Sequence, residues 1–305
     1  MNATVSIIIP TYNRAHLICE TLDSVIAQTY TDWECIVVDD GSNDTTVEII
    51  AEYCKKDNRF QYYQRPQNRL QGGNAARNFG YEQSKGTYIQ WFDSDDVMLK
   101  NYLKDRVSEF TSEIDFVICT GYSTDNNLKH RKEIPIFQPN NLFRSYALWK
   151  IKIVTQSVIF RRSFLIRKEL FSEKILRGQE TELFSRLFFE TSKSQYEIID
   201  KPLYLYRQHL ETKSKENKNN YNPFFKKSLS YISIANLERG LLIEDLDIIN
   251  HHYQLLIHYF FNAVHNKDLK TAFYIYKNLP AILYKINISM FLLFSISGGV
   301  FLILR

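Results

Sequence analysis

The chain has 305 residues, 45% of them hydrophobic and 24% charged, enough to bury one large core, or one core with an appendage. Lys and Arg number 38 against 34 Asp and Glu, a formal net charge of +4 with no long basic run. That balance excludes the electrostatic footprint of a nucleic-acid-binding protein and leaves room for contact with an anionic bilayer.

Residues 1–4 do not lead a basic segment into a long apolar run, so no cleaved secretory signal is visible and the chain is expected in the cytoplasm. Cys19, Cys35, Cys54 and Cys119 form no C-x-x-C pair and have no histidine at metal spacing. They read as thiols of a reducing compartment. Residues 5–9 (VSIII) and 35–40 (CIVVDD) are short runs rich in β-branched residues. Each is followed by a polar turn and a helical pattern, the signature of β-α-β. The first helix is expected over residues 16–28, where Leu17, Leu22, Val25 and Ile26 recur at helical spacing. The second is expected over 44–53, after Gly41-Ser42-Asn43, whose polar side chains can cap free N–H groups.

A strand at 60–63, a loop at 65–73, a helix at 74–83 and a strand at 87–92 follow, then a helix beyond Leu103 and strands at 115–119 and 154–160. The alternation predicts an α/β fold with a mainly parallel sheet and helices on both faces. Ligands in such sheets collect beyond the carboxyl ends of the strands. Residues 1–212 are expected to form this domain, and 213–305 a helical region beyond a polar stretch at 211–222. Within that region Tyr253, Leu256, Ile257, Tyr259, Phe260 and Phe261 mark an aromatic-rich helix. Residues 286–304 are almost free of charge between Lys285 and Arg305, close to the ~20 residues that span a bilayer. Asn287, Gly298, Gly299 and the serines speak equally for a buried or interface-lying helix.

Phe92-Asp93-Ser94-Asp95-Asp96 places three carboxylates where an apolar strand ends. Acids so closely packed repel unless a cation lies between them, and Mg2+ or Mn2+ takes a few carboxylate oxygens while keeping positions for water and phosphate. Alone, the same acids also read as a solvated loop capping the next helix. Asp39-Asp40-Gly41-Ser42 ends another strand and Pro10-Thr11-Tyr12-Asn13-Arg14 the first, so three strand ends are expected to converge on one crevice. Tyr12 offers a flat face to a base, and Asp40 can accept the imide N–H of uracil, which suits uridine better than a purine. The plainer reading of Pro10-Thr11 is a turn and a helix start.

The stretches VSIIIPTYNRAHLICETLDSVIAQTYTDWECIVVDDGSNDTT and GGNAARNFGYEQSKGTYIQWFDSDD resemble glycosyltransferase family 2, of the GT-A fold. The resemblance is strong over residues 4–110 and looser over 150–215. It implies that Thr11, Tyr12 and Asp40 hold the nucleoside, with Pro10 and Arg14 in the same strand-end segment and Asn74 and Arg77 in the segment closing over it. Asp93 and Asp95 match the D-x-D element, in which the second acid binds the metal and the first lies by the ribose and metal. Asp39 and Asp96 are further candidates, Asp96 as a cap or supporting acid.

Gly178-Gln179-Glu180-Thr181-Glu182-Leu183, followed by Arg186-Leu187, resembles the family's acidic motif, in which an Asp usually acts as general base. This chain departs from the pattern with Glu180, and one extra methylene moves the carboxylate by ~1 Å, a shift the pocket must absorb. Glu180 is the expected base and Glu182 the second choice. Both also fit the polar first turn of a helix carrying Leu183, Leu187 and Phe188 inward. Tyr206-Arg207-Gln208-His209 resembles the family's late segment, where His209 would reach the metal or diphosphate, although a lone His is more often structural.

The resemblance implies an inverting, Mg2+- or Mn2+-dependent glycosyltransferase. It would move a sugar from a nucleoside diphosphate, UDP favoured, to a saccharide or lipid-linked acceptor in bacterial surface polysaccharide synthesis. The expected place is the cytoplasm, peripheral to the inner face of the cell membrane or anchored there by the C-terminus. Glu180 keeps open an alternative, a non-catalytic nucleotide-sugar-binding subunit of a polysaccharide assembly complex.

Overall fold

The computed structural model describes residues 5–208 and 221–286, with Phe294 and Gly299 beyond them. The chain divides into two compact units. The first comprises Met1–Leu142, Ile151–Glu173 and Glu190–Leu210, the second Phe143–Lys150, Lys174–Phe189 and Glu211–Arg305.

In the first unit, β1 (Val5–Thr11), β2 (Trp33–Asp39), β3 (Phe60–Gln64) and β4 (Tyr88–Trp91) run parallel in the order β3-β2-β1-β4. Every residue of β1 and β2 is buried, which is why both are continuous apolar runs rather than alternating ones. Helices α1 (Ile18–Ile26) and α2 (Thr46–Lys56) start and stop within about three residues of the positions their periodicity predicts. Helix α3 (Gly73–Gln83) follows the loop after β3. Ile7, Ile9, Leu22, Val25, Val37 and Phe92 pack one side of the sheet, and Ile36, Val38 and Ala76 the other.

The sheet continues through β8 (Val158–Arg161), β6 (Phe116–Thr124), β9 (Tyr196–Arg207) and β5 (Val97–Met98), with β7 (Lys132–Ile134) on β6. Strands β8, β5 and β7 pair antiparallel with their neighbours, and β6 with β9 parallel. The sheet is therefore mixed and mostly parallel. Between β5 and β6 lies α4 (Tyr102–Val107), and the short helices α5 (Leu142–Ala147) and α6 (Arg162–Leu165) come before and after β8 in the chain. The strand expected from residue 154 begins at Val158, because Thr155–Ser157 forms a tight helical turn. There the Ser157 hydroxyl accepts the Val154 N–H at 3.1 Å and meets the Tyr204 hydroxyl at 2.9 Å. A side-chain oxygen thus satisfies a backbone donor ahead of the strand.

The second unit is built mainly on helices α7 (Gln179–Phe189), α8 (Pro223–Leu242), α9 (Leu246–His265) and α10 (Leu269–Ile286). Asn222 caps α8 by accepting the Phe225 N–H at 3.2 Å, with Pro223 at the first helical position, where its missing donor is harmless. Asp245 caps α9, and Arg144 holds it at 2.6 Å while also pairing with Asp247. Leu237, Leu256, Phe260, Ile275 and Leu279 form the core. The aromatic helix expected around 253–261 is α9, with Leu256, Tyr259 and Phe260 buried and Phe261 exposed. The polar stretch at 211–220 and most of 287–304 lie outside the described residues. No described helix is long and apolar enough to cross a membrane.

Candidate active site

Because β2, β1 and β4 are neighbours, Thr11 lies opposite Asp39 and Ile8 opposite Trp91. The segments PTYNR, DDGS and FDSDD therefore leave the sheet side by side. The Asp40 N–H donates to the Thr11 carbonyl and the Phe92 N–H to the Ile8 carbonyl, each at 2.9 Å, so both ladders run one residue past the strands. Thr11 is buried, and its Oγ1 has no hydrogen-bond partner among the described residues. Tyr12 beside it is 45% exposed.

The Asp39 carboxylate braces the turn that follows β2. It accepts the N–H groups of Gly41 at 3.3 Å and Ser42 at 3.0 Å, and the Ser42 hydroxyl at 2.5 Å. Gly41 takes a φ of 99°, which a side chain would strain. Asn13 joins the neighbouring turn to this one, donating its N–H to Ser42 Oγ and accepting that of Asn43, both at 2.9 Å. Asp40 pairs with Arg65, at the end of the adjacent β3. The Arg65 guanidinium is fixed by the carbonyls of Pro66 at 2.9 Å and Arg69 at 2.6 Å.

Helix α3 brings Asn74 and Arg77. Asn74 donates to the Ser172 carbonyl at 2.7 Å, and Arg77 to Asp93 Oδ1 at 2.7 Å with its guanidinium 5.2 Å from the Phe171 ring. Asp93 is also held by the Gln156 amide at 2.9 Å, and the same amide nitrogen donates to Asp96. Asp96 is buried and takes the Arg207 N–H at 2.8 Å. Burial, then the charges of Asp95 and Asp93, pushes its carboxyl well above the usual carboxylate range. Arg207, itself buried, extends to the Asp95 carbonyl at 2.8 Å, the Asn126 carbonyl at 2.5 Å and Glu20 at 2.5 Å. Asp96 is thus an internal brace of the acidic turn. Asp95 lies at its rim, with Arg14 Nη2 4.0 Å from its carboxylate.

The structure therefore brings Thr11, Tyr12, Arg14, Asp40, Arg77, Asp93 and Asp95 to adjoining strand ends, with Pro10 buried in β1 behind them. Carboxylate oxygens such as those of Asp93 and Asp95 at this edge are the donor type that suits Mg2+ or Mn2+. Among the described residues no three or more His, Cys, Asp or Glu gather as a metal cage. Sequence reasoning assigned Arg65, Gln156 and Glu20 no role and marked Arg207 only as part of the Tyr206-Arg207-Gln208-His209 segment. For Gln156 the signal is the polar triplet Thr155-Gln156-Ser157 between apolar residues.

Glu180 and Glu182 belong to the second unit, in the first turn of α7. Gly178 begins that turn with a φ of 68°, and a Cβ there would lie 3.0 Å from Ile232 Cδ1. Glu182 is buried and gripped by Arg186 at 2.8 and 2.9 Å. Glu180 is only partly buried and stands near the buried Tyr146 phenol, whose pKa rises through burial and then the Glu180 charge. Leu183, Leu187 and Phe188 point inward as expected. His209 lies outside the described residues.

The family model for glycosyl transferase family 2 matches residues 6–173. The chain belongs to glycosyl transferase family 2. Among family relatives, the glycosyltransferase GlyG of Streptococcus pneumoniae is 30% identical over 224 residues, covering 68% of this chain and 72% of that protein. An uncharacterized glycosyltransferase of Rickettsia felis is 31% identical over 202 residues, 65% of this chain, and the match spans only 32% of that longer protein. Staphylococcus aureus TarS, solved with UDP-GlcNAc, aligns over 82% of this chain and 73% of that one, with TM-score 0.62 and 21% identity. The mannosyltransferase PcManGT of Pyrobaculum calidifontis, solved with GDP-Man and Mn2+, aligns over 99% and 86%, with TM-score 0.54 and 16% identity. These likenesses establish the GT-A fold. The family-2 match runs from β1 past Gln156, whereas Glu180 and Arg207 lie beyond it.

Proposed function

We propose that this chain is an inverting glycosyltransferase that moves one sugar from a nucleoside diphosphate, UDP favoured, to a saccharide or lipid-linked saccharide acceptor. Bacterial surface polysaccharide synthesis at the inner face of the cell membrane is its setting. The reading rests above all on Thr11, Asp40 and Asp93 standing at adjoining ends of β1, β2 and β4, with Arg77 bound to Asp93 at 2.7 Å. The structures of TarS with UDP-GlcNAc and of PcManGT with GDP-Man and Mn2+ support the donor class.

Asp40 accepts the uracil imide proton while Arg65 donates to a neighbouring carbonyl, a complementary pair for a pyrimidine edge. Tyr12 covers the ring, and Asp93, aimed by Arg77 and Gln156, receives the ribose. Arg14 adds positive charge near the diphosphate. Glu180 removes the acceptor hydroxyl proton as that oxygen bonds to the anomeric carbon. The bond to the diphosphate breaks on the opposite side, so one displacement inverts the centre. A Mg2+ or Mn2+ ion held by Asp95, with His209, would supply electrostatic stabilisation to the departing diphosphate.

The decisive experiment pairs two variants. Asp95→Ala is expected to abolish metal-dependent turnover, and Glu180→Gln to keep donor binding while losing transfer. Retained turnover in both overturns these assignments. Donor binding by the wild-type chain without hydrolysis or transfer would favour a nucleotide-sugar-binding subunit, the reading to which Glu180 points.

A further inference from the structure

The formal charge of the chain is not spread evenly. From Ile249 onward the sequence carries Lys267, Lys270, Lys277, Lys285 and Arg305 against one acid, Asp268, so the whole net +4 resides there and the preceding sequence is neutral. Asp268 is itself engaged, accepting the Tyr221 hydroxyl at 2.8 Å and capping α10 through the Thr271 N–H at 3.1 Å.

Helix α10 is apolar on two sides. Ala272, Ile275, Leu279 and Ile282 are buried in the core of the helical unit. On the outer side Phe273 is 60% and Tyr284 63% exposed, with Leu269 also exposed. At 100° per residue these three share roughly a third of the circumference with the exposed Lys270 and Lys277. An exposed helix face that combines aromatic and aliphatic side chains with lysines has the composition of a membrane-surface helix. Phe294 packs on Phe260 and Tyr276, with ring centroids 5.2 and 6.1 Å apart, and Phe273 stays exposed.

We propose that the outer face of α10, formed by Leu269, Lys270, Phe273, Lys277 and Tyr284, seats in the interface of an anionic bilayer. This deepens the membrane placement in the proposed function by naming the surface. Aromatic rings enter the boundary between headgroups and acyl chains, while the lysine stems lie along it and carry their ammonium groups to lipid phosphates. A second copy of the chain is a poor occupant, because a two-fold contact through this face would oppose lysines with no acid to meet them.

The test uses the full chain and sedimentation with phosphatidylcholine vesicles, with and without phosphatidylglycerol. Binding is expected only with phosphatidylglycerol, and it should weaken as salt rises. Phe273→Ser/Tyr284→Ser and Lys270→Gln/Lys277→Gln should each lower vesicle affinity by on the order of tenfold or more. Melting temperature and the thermal shift given by UDP should stay at wild-type values. Equal binding to both vesicle types, unaltered binding by both double variants, or a concentration-dependent dimer that the variants abolish would each overturn the proposal. Vesicle binding is read without donor or acceptor, so failure of the transferase reading leaves this result standing, and the reverse holds equally.

Discussion

One amide serves two aspartates. Gln156 is fully buried and donates through Nε2 to both Asp93 and Asp96, so it sets the spacing of the acidic turn from below. Gln156→Leu would leave both carboxylates short of a donor, and at the buried Asp96, where water cannot replace it, the loss costs about 1–3 kcal/mol of stability. Asp93 would then depend on Arg77 alone, and the donor KM is expected to rise on the order of tenfold with a smaller change in kcat. Urea unfolding and steady-state kinetics on the same variant check both parts. A loss of stability with an unchanged KM would reduce Gln156 to a structural role. Asp40, Asp93 and Asp95 were legible in the sequence because each lies where an apolar run gives way to acids. Arg77 and Arg14 were legible too, but the more distant partners of this acidic cluster were not. Arg65 is 25 residues from Asp40, Gln156 is 63 from Asp93, and Arg207 is 111 from Asp96. Such pairings are set by sheet order, which local periodicity does not carry. Asp39, next to Asp40, shows the converse, since only the fold separates the turn brace from the candidate base-binding acid.

Helix α3 is placed by the absence of a side chain. A Cβ on Gly80 would lie 2.4 Å from Ile8 Cγ2 and 3.2 Å from Val38 Cγ2, so the helix rests directly on β1 and β2, with Ala76 buried a turn earlier. Gly80→Ala would lever the helix outward, and overpacking of this kind costs about 1–3 kcal/mol. Arg77 and Asn74 ride on that helix, so donor affinity should fall with melting temperature. An unchanged melting temperature would mean that the helix yields without strain. The elements around it were read from β-branched runs and helical spacing, whereas β9 was not. Its sequence YEIIDKPLYLYR breaks alternation at Asp200, Lys201 and Pro202. The pairing with β6 absorbs the break through register shifts beside Thr120. A strand whose irregularity is matched by its partner has no period of its own to detect.

The strand-end acids and Glu180 belong to different compact units of one chain, so a whole-molecule readout is needed to join donor, metal and fold. Ligands that bind only the folded state stabilise it by mass action, about 2.7 kcal/mol at a hundred times Kd. For a domain of this class that corresponds to a rise of about 5–10 °C in melting temperature. A UDP-sugar with Mn2+ is expected to give such a shift. EDTA should remove most of it, because without a cation the diphosphate would meet the Asp95 and Asp93 carboxylates, whose partners Arg14 and Arg77 are already engaged with them. Asp95→Ala in Mn2+ should then behave as the wild-type chain does in EDTA. GDP-sugars should give a smaller shift than UDP-sugars if, as proposed, Asp40 and Arg65 take up the uracil edge. An equal shift in Mn2+ and EDTA would remove the metal from the site. An equal shift for both bases would remove uridine preference while leaving the strand-end crevice as the place where the nucleotide binds.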